Sequence, residues 1–471
     1  MKTILIVILI CFFANGYGQN PFNKTYGGAM DDMTAGIMLL ESNRYIISFT
    51  DEGFTNGPMA LYVNGNGDSL NTYIDNSFFG WQKNYNKMAD NIFFATGGYY
   101  VLSESKHDVL LQIIDTNSTI LVKRFGGNDY DYGNDIELLP DSGFIIVGTT
   151  ESYGAGANDV YIIRTDKHGD SLWTRTFGQS GDEIATGIES ITDSVFYVCG
   201  TTTSFGAQWS DVFVMKLNDL GDTSFLNIYG NWGNDVANAM VKTHDNGYAI
   251  AGWELYNTSI DGEFLLLKID SNANQLFLKT YGYQGMDEAF DIKECYDHGF
   301  IMVGYSEQPG RGEDVYIVRT DSIGDTLWTK TLGGAYNDRA YSVVQTPDSG
   351  FAIVGNTYSY GAGGSDAFFL KLKPNGETTV SIGLPIEHRE ESFRVFPNPA
   401  TNFITIEVQS NITKATEIRI YNALGKLSLT EKLEKGLNTN RIDLSSLSQG
   451  IYIIELRDEY GIIGNRKLII E

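Results

Sequence analysis

The sequence predicts an all-β protein, in which a propeller of seven four-stranded blades is followed by a small immunoglobulin-like β-sandwich. A unit of about fifty residues recurs seven times between Tyr26 and Gly376. Within each unit the apolar segments are short, rich in Val, Ile, Tyr and Phe, and separated by Gly, Asp, Asn and Ser turns. Four such strands in each repeat are the composition of a propeller blade.

The third repeat shows the expected strands most clearly. They run approximately over residues 132–139, 144–149, 160–165 and 171–176. Residues 160–163 are apolar at odd and even positions alike, whereas a half-solvated strand would alternate. Each blade is therefore expected to pack between two others.

The N-terminal end of the repeat region predicts how the ring closes. The fourth-strand pattern precedes each new Gly-Gly pair, and it also occurs at residues 21–25, before the first complete repeat. We expect this segment to supply the fourth strand of the seventh blade, whose other strands come from about residues 339–372. Such a clasp would cover an open sheet edge.

Two positions of the repeat are acidic in six of seven copies. One lies twelve residues before the position that precedes each second strand and holds Asp32, Asn86, Asp131, Glu183, Asp235, Asp287 and Asp338. The other lies seven residues before the end of each third strand and holds Gly57, Asp108, Asp159, Asp211, Glu263, Asp314 and Asp366. Antiparallel connectivity places both rings at the same end of the blades. The carboxylates could accept backbone N–H groups of their own loops, or form a face that binds cations or a basic partner.

Aromatic residues surround the acidic positions. The Gly-rich and entering loops contain Tyr153, Phe205, Trp209, Trp232, Tyr256, Tyr283, Tyr358 and Tyr360. Such side chains suit a sugar-binding face, and they equally suit the packing of long loops. The residues that we expect to form a binding face are Asp131, Asp159, Glu183, Trp209, Asp211, Asp235, Tyr256, Asp287, Asp314, Asp338 and Asp366. Trp173 and Trp328 lie on fourth strands and are expected to pack between blades.

Sequence motifs for catalysis are lacking. The five histidines occupy unrelated positions of the repeat, and no His-x-x-x-His, Cys-x-x-Cys or Gly-x-Ser-x-Gly is present. We therefore expect no catalytic residue, no metal site and no cofactor. The formal charge of -26 argues against nucleic acid as a partner. Cys199 and Cys295 fall in different repeats and are expected to be buried free thiols.

The two ends of the chain differ from the repeats. Residues 1–18 have the charged start, apolar run and small residues of a cleaved signal peptide. No other stretch approaches the ~20 apolar residues of a spanning helix. Residues 19–376 are assigned to the propeller, 377–392 to a linker and 393–471 to a separate unit of alternating short strands, typical of a small β-sandwich.

Both regions resemble known families. The repeat, with its Gly-Gly-x-x-x-Asp, Gly-Phe-x-Ile-Val-Gly and Gly-Asp-x-Leu-Trp segments, is similar to bacterial seven-bladed propeller repeats of extracellular proteins. Residues 393–471 resemble the type A sorting domain of the type IX secretion system. The residues that carry this likeness are Pro397, Asn398, Pro399, Asn422, Gly425, Gly450, Tyr452 and Lys467. The resemblance implies recognition by the type IX translocon and its sorting peptidase, and a secreted or cell-surface location.

The sequence thus leads to a functional expectation with alternatives. We expect a monomeric, non-catalytic propeller that binds a glycan or protein ligand. One alternative is an extracellular hydrolase or lyase that acts on polysaccharide or peptide through carboxylates near the central channel. Another is a structural surface protein or adhesin.

Overall fold

The fold is seen in a computed structural model, which describes most of the chain between residues 22 and 470. The described residues are 22–26, 32–40, 44–51, 58–74, 80–89, 92–101, 104–115, 119–192, 194–206, 209–256, 261–308, 312–361, 364–378, 393–408, 417–422, 427–432, 439–457 and 462–470. All their regular elements are β-strands, which confirms the all-β prediction. The chain divides into two compact units, Met1–Thr379 and Val380–Glu471. The expected signal peptide, and the expected linker beyond Thr378, lie outside the described residues.

The first unit contains seven four-stranded antiparallel sheets within its described residues, numbered here I to VII. Sheets I and II consist of β2 (Asp32–Leu40), β3 (Arg44–Asp51), β4 (Pro58–Val63) and β5 (Ser69–Ile74), then β6 (Gly80–Ala89), β7 (Ile92–Val101), β8 (Lys106–Asp115) and β9 (Thr119–Phe125). Sheets III and IV consist of β10 (Asp131–Leu138), β11 (Phe144–Thr150), β12 (Asp159–Thr165) and β13 (Ser171–Phe177), then β14 (Glu183–Thr192), β15 (Val195–Thr202), β16 (Asp211–Asn218) and β17 (Thr223–Tyr229).

The remaining sheets of this unit repeat the pattern. Sheets V and VI consist of β18 (Gly233–Lys242), β19 (Tyr248–Tyr256), β20 (Gly262–Ile269) and β21 (Gln275–Tyr281), then β22 (Asp287–Glu294), β23 (Phe300–Gln308), β24 (Gly312–Thr320) and β25 (Thr326–Leu332). Sheet VII consists of β26 (Asp338–Gln345), β27 (Phe351–Thr357), β28 (Asp366–Leu372) and β1 (Lys24–Tyr26). The first strands of consecutive sheets contact one another, and β26 contacts β2. This cyclic order is consistent with a propeller.

The N-terminal strand pairs where the sequence predicted. β1 runs antiparallel to β28, with Lys24 opposite Phe369 and Tyr26 opposite Ala367. Ahead of the strand, Phe22 is buried and its ring stacks on Phe368, with centroids 4.0 Å apart. The expected pairing of this segment with the last repeat is therefore confirmed, although the regular strand begins at Lys24 rather than at residue 21.

Burial follows position within each sheet. Every residue of β11 and β12 is buried, as the two-sided apolar pattern predicted, whereas the fourth strand β13 alternates between exposed and half-buried residues. Trp173 on β13 packs against the core shared with sheet IV, and its indole N–H donates to the Asp219 carbonyl at 2.9 Å. Trp328 makes the equivalent bond to the Pro374 carbonyl at 3.1 Å. Both tryptophans thus join consecutive sheets, as expected.

A β-bulge in the first strands provides a second link between sheets. The register shifts at the same point of β10, β14 and β18. The bulged residue of each strand donates a side-chain hydrogen bond to a carbonyl of the next first strand: Asn134 to Ala185 at 2.8 Å, Thr186 to Ala237 at 3.0 Å and Asn238 to Ala289 at 2.8 Å. A β-bulge inserts one extra residue that is not paired within its own sheet. The side chain of that residue is redirected and can reach the first strand of the neighbouring sheet.

The second unit has two sheets on either side of one core. One sheet has the order β29 (Phe393–Phe396), β30 (Phe403–Val408) and β33 (Thr439–Asp443); the other has β32 (Leu427–Lys432), β31 (Glu417–Asn422), β34 (Gly450–Arg457) and β35 (Ile462–Ile470). Ile404, Ile420, Ile454 and Leu468 are buried in the shared core. Along β31, Ile418 and Ile420 are buried between partly exposed neighbours, as expected for a strand with one face against a core.

Candidate functional site

In sheets III to VII, the acidic positions of both rings lie at the same end of their sheets. In sheet III, Asp131 and Asp159 both oppose Thr150, and in sheet IV, Glu183 and Asp211 both oppose Thr202. Sheets V, VI and VII repeat the arrangement with Asp235 and Glu263, Asp287 and Asp314, and Asp338 and Asp366. We call this end of the sheets, with its loops 126–130, 151–158, 178–182, 203–210, 230–232, 282–286, 333–337 and 358–365, the acidic face. The geometric expectation from antiparallel connectivity is met in sheets III to VII. The expected place of Asn86 was wrong: Asn86 opposes Phe94 in the middle of β6, and Gly80 occupies the equivalent position, because the second strand of sheet II begins at Ile92, earlier than the repeat count assumed. Gly57 lies outside the described residues.

The carboxylates of the acidic face are buried and hold their own loops. Ten of them are at most 6% exposed: Asp108, Asp131, Asp159, Glu183, Asp211, Asp235, Asp287, Asp314, Asp338 and Asp366. Asp131 Oδ2 accepts the Gly127 N–H at 2.8 Å and the Ser152 hydroxyl at 2.7 Å. Asp159 Oδ2 accepts the N–H groups of Ala155 and Gly156 at 3.0 and 2.9 Å. These bonds favour the loop-forming interpretation, because side chains so enclosed offer little surface to a large partner.

Carboxylates from consecutive sheets meet across a glycine. A Cβ on Gly230 would lie 2.5 Å from both Asp211 Oδ1 and Asp235 Oδ2, so only glycine fits between them. Burial, with the charges of Glu254 and Asp211, raises the pKa of Asp235 to about 7. Burial likewise raises the pKa of Asp287 to about 6. The acidic face can therefore take up protons near neutral pH.

Some carboxylate oxygens are left without a bond partner among the described residues. Oδ1 of Asp131, Asp159, Asp235 and Asp287 is buried and accepts no hydrogen bond there. Such oxygens are suited to water or a small cation. The assignment of these residues to ligand binding stays a prediction.

Exposed aromatic side chains cover the acidic face. Seven of them, between 38% and 65% exposed, lie in its loops: Tyr130, Tyr153, Trp209, Trp232, Tyr283, Tyr336 and Tyr358. Phe205 and Tyr360 are half-buried, and the side chain of Tyr256 lies outside the described part of the structure. Tyr130 and Tyr336 were missed by sequence reasoning, although their place in the entering loops, where Trp232 and Tyr283 were noted, was a usable signal.

Two of these aromatic rings are partly held by the fold. The Tyr153 hydroxyl donates to the Gly126 carbonyl at 2.9 Å, and its ring lies 5.7 Å from that of Tyr161. The ring of Tyr283 lies 5.4 Å from that of Tyr316. Part of each ring is therefore used for loop packing, and about half of each ring still faces solvent.

A cavity of about 260 Å³ lies between sheets III and IV at this face. Its apolar lining includes Phe177, Phe205 and Phe213, and Glu183 contributes a carboxylate. Glu183 is fixed, because Oε2 accepts the Gln179 N–H at 2.8 Å and Oε1 accepts the Thr202 hydroxyl at 2.8 Å. An apolar hollow with one oriented polar group is a common design for a small ligand.

A second charged cluster lies between the first strands of the sheets. Asp135 accepts the Ile188 N–H at 2.9 Å and the Asn84 amide at 2.5 Å. Burial raises the pKa of Asp135 to about 7, and it does the same for Glu189 on the next first strand. The Lys293 ammonium acts on both carboxylates and lowers their pKa values in part. Carboxyl groups that titrate near neutrality can act as acid or base, and the repeat pattern gave no sign of this cluster.

Some C-terminal motif residues lie on β31, β34 and β35, whereas Pro397, Asn398 and Pro399 lie in the bend that follows β29. The Asn398 side-chain oxygen accepts the Ile469 N–H at 2.9 Å, and Ala400 donates its N–H to the Ile469 carbonyl at 2.8 Å. Asn422 pairs with Tyr452 across β31 and β34, and Lys467 pairs with Ile453 across β34 and β35. The Tyr452 hydroxyl donates to the Ser448 carbonyl at 2.8 Å. Gly450 opens β34 and Pro397 and Pro399 are exposed, whereas Gly425 lies outside the described residues.

Comparison with protein families decides what this unit is. Residues 394–471 match the secretion system C-terminal sorting domain. The second unit is a sorting domain. The sorting domain marks the protein for the type IX secretion machinery and for release to the cell surface or the extracellular space. Within the described residues, we find no helical segment with the length and hydrophobicity of a membrane crossing.

Other comparisons concern the whole chain. Curated protein sequences give no match. Among solved structures, the chain is similar to the extracellular domain of BT4673 from B. thetaiotaomicron, at 13% identity and a TM-score of 0.44 over 94% of this chain and 57% of that one. It is also similar to a protein of unknown function from Dyadobacter fermentans (8% identity, TM-score 0.42, 74% of this chain and 97% of that one) and to Pyrococcus horikoshii acylaminoacyl peptidase (10%, 0.41, 82% and 59%). The chain thus spans less than two thirds of the first of these proteins, and we carry no function from any of them.

Proposed function

We propose that residues 19–376 form a closed seven-bladed propeller, which type IX secretion exports and which binds a glycan or protein ligand without catalysis. The sorting domain would then be a small immunoglobulin-like sandwich whose two sheets share one core. Support for the ring comes from seven four-stranded sheets whose first strands contact one another in cyclic order. Support for an address outside the cell comes from the sorting domain at residues 394–471.

The exposed aromatics of the acidic face carry the binding proposal. Trp232 and Tyr336 are the most exposed of them, at 64% and 65%. Leaving such rings in water costs free energy that a ligand would recover by covering them, and exposed aromatic side chains in several loops of one face favour an interaction site there. The buried carboxylates beneath would fix the loops that present the rings. Binding would involve Trp209, which is 55% exposed, by the same reasoning, and Tyr256 stays a contact predicted from the sequence alone.

The test is a glycan array probed with the mature protein. The double variant Trp232→Ala/Tyr336→Ala should lose at least tenfold in affinity for any glycan that the wild type binds. Leu172→Ala/Leu327→Ala is the matched control, because these leucines are also more than half exposed but lie on fourth strands. Equal affinity of the aromatic variant and the wild type would refute the proposed face.

A second candidate function, hydrolysis or lysis of a polysaccharide or peptide, is favoured by one observation. Asp135 and Glu189 have pKa values raised to about 7 and lie near the Lys293 ammonium, as an acid–base pair requires. In this case the wild type should release products from polysaccharides in the array. Glu189→Gln should abolish this release, and the exposed control Asp129→Asn should retain it. Such a result would replace the binding function with an enzymatic one. Absence of products from every polysaccharide and peptide substrate tried would count against it.

A further inference from the structure

Two histidines and a glutamate from adjacent sheets meet at the end opposite the acidic face. His244 lies in the turn between β18 and β19, His298 lies in the turn between β22 and β23, and Glu294 ends β22. One ring nitrogen of each histidine and one oxygen of Glu294 all lie within 4.8 Å of one another. His244 Nδ1 is 2.6 Å and His298 Nδ1 3.8 Å from Glu294 Oε1. The imidazole rings stack, with centroids 3.5 Å apart.

We propose that His244, Glu294 and His298 bind a divalent transition-metal ion of the Zn²⁺ type. Two imidazoles and one carboxylate are a donor set that Zn²⁺ uses in proteins, with a water as the fourth ligand. Hard ions such as Ca²⁺ and Mg²⁺ prefer oxygen donors and would be excluded by the two nitrogens. Both histidines are about half exposed, at 48% and 49%, so the fourth position faces solvent.

Metal binding requires only a small rearrangement of the donor atoms of Glu294, His244 and His298. Metal–ligand bonds of about 2 Å at tetrahedral angles place donor atoms about 3.3 Å apart. Glu294 Oε1 must therefore separate slightly from His244 Nδ1, now 2.6 Å away, and approach His298 Nδ1, now 3.8 Å away. Rotation of two half-exposed imidazoles supplies this movement, because χ2 of histidine is a soft torsion.

The Glu294 carboxylate is already held in place by a hydrogen bond to its other oxygen. The His244 backbone N–H donates to Glu294 Oε2 at 2.9 Å, which leaves Oε1 directed at the two imidazoles. A hydrogen bond to the non-ligating oxygen is the usual support for a metal-binding carboxylate. The turn of His298 is held too, because Arg319 forms an ion pair with Asp297 beside it.

The site would join sheets V and VI through two departures from the repeat. The turns Thr243 to Gly247 and Cys295 to Gly299 occupy the same place in their repeats. His244 is therefore equivalent to Tyr296, and His298 is equivalent to Asn246. Asn246 and His298 share the same left-handed backbone, with φ of 61° and 66°. These counterparts provide substitutions that each turn is built to accept.

The experiment titrates the full mature protein with Zn²⁺ by calorimetry and with Co²⁺ by absorption. Wild type should bind one ion with a tetrahedral Co²⁺ spectrum and a raised melting temperature. His298→Asn and His244→Tyr should each weaken binding at least tenfold and abolish that spectrum, while His168→Asn, in an exposed turn of sheet III, should change neither. Unchanged affinity in both variants, or an octahedral Co²⁺ spectrum only, would show adventitious binding and overturn the proposal. Unchanged melting of the metal-free variants shows that loss of binding is not misfolding.

Discussion

Removal of the Phe22 side chain should open the N-terminal clasp. Phe22 is 5% exposed, stacks on Phe368 at 4.0 Å and meets the edge of Tyr360 at 5.8 Å. Truncation of a buried Phe to Ala costs about 3–5 kcal/mol. The lower end of this range applies to Phe22, because neighbouring residues near the chain terminus can partly fill the space that truncation creates. We expect Phe22→Ala to lower the free energy of unfolding by about 3 kcal/mol.

Thermal unfolding of the mature protein measures this loss. A change of 1 kcal/mol shifts the melting temperature of a 150–250-residue domain by ~2–4 °C, and by less in a longer one, so a fall of about 5 °C is expected. Phe22→Leu keeps most of the buried apolar area, so its melting temperature should fall by less than half as much. Leu172→Ala, which is exposed on β13, should melt with the wild type. If Phe22→Ala melted with the wild type, β1 would not hold sheet VII closed.

Two other expectations concern pH and export. The folded-state pKa values of Asp235 and Asp287, raised to about 7 and about 6, lie above the ordinary value of 3.8, so the folded protein binds these protons more tightly than the unfolded chain. Stability should therefore rise as pH falls from 8 towards 5, and Asp235→Asn should flatten that rise in a series of chemical denaturation curves; a wild-type profile that fell over this window would contradict the reasoning. Deletion of residues 393–471 should leave the propeller in the periplasm, as fractionation and immunoblotting would reveal; export of the truncated protein at the wild-type level would contradict the role of the sorting domain.

The sequence was most informative where one residue pattern repeats. Residues 160–163 revealed a strand buried on both faces, and the Trp173 position revealed packing between sheets, because both depend only on local alternation and size. The pairing of residues 24–26 with β28 followed from counting fourth strands. These features could be predicted because equivalent positions of successive repeats have the same structural environment.

Contacts between unlike positions of adjacent repeats could not be predicted in this way. His244 and His298 differ by two positions in the repeat, yet neighbouring turns bring them together. Asp135 and Glu189 likewise come from different positions of consecutive first strands. The bulge at Asn134 was also missed, because an extra residue in a strand leaves no mark in the apolar pattern. The burial of the acidic positions depends on loop paths that residue type does not determine.

The pairing of Lys24 with Phe369 also joins the two ends of the repeat region, which are far apart in the sequence. β1 leaves the ribosome first, whereas its partner β28 follows only after all the intervening repeats. Until β28 is available, Phe22 lacks Phe368, the ring on which it stacks. Contacts between such distant segments form slowly because the loop between them must close first. Pairing of β1 with β28 is therefore expected to be slow, and a chain that stops before Ala367 lacks the residues with which β1 pairs.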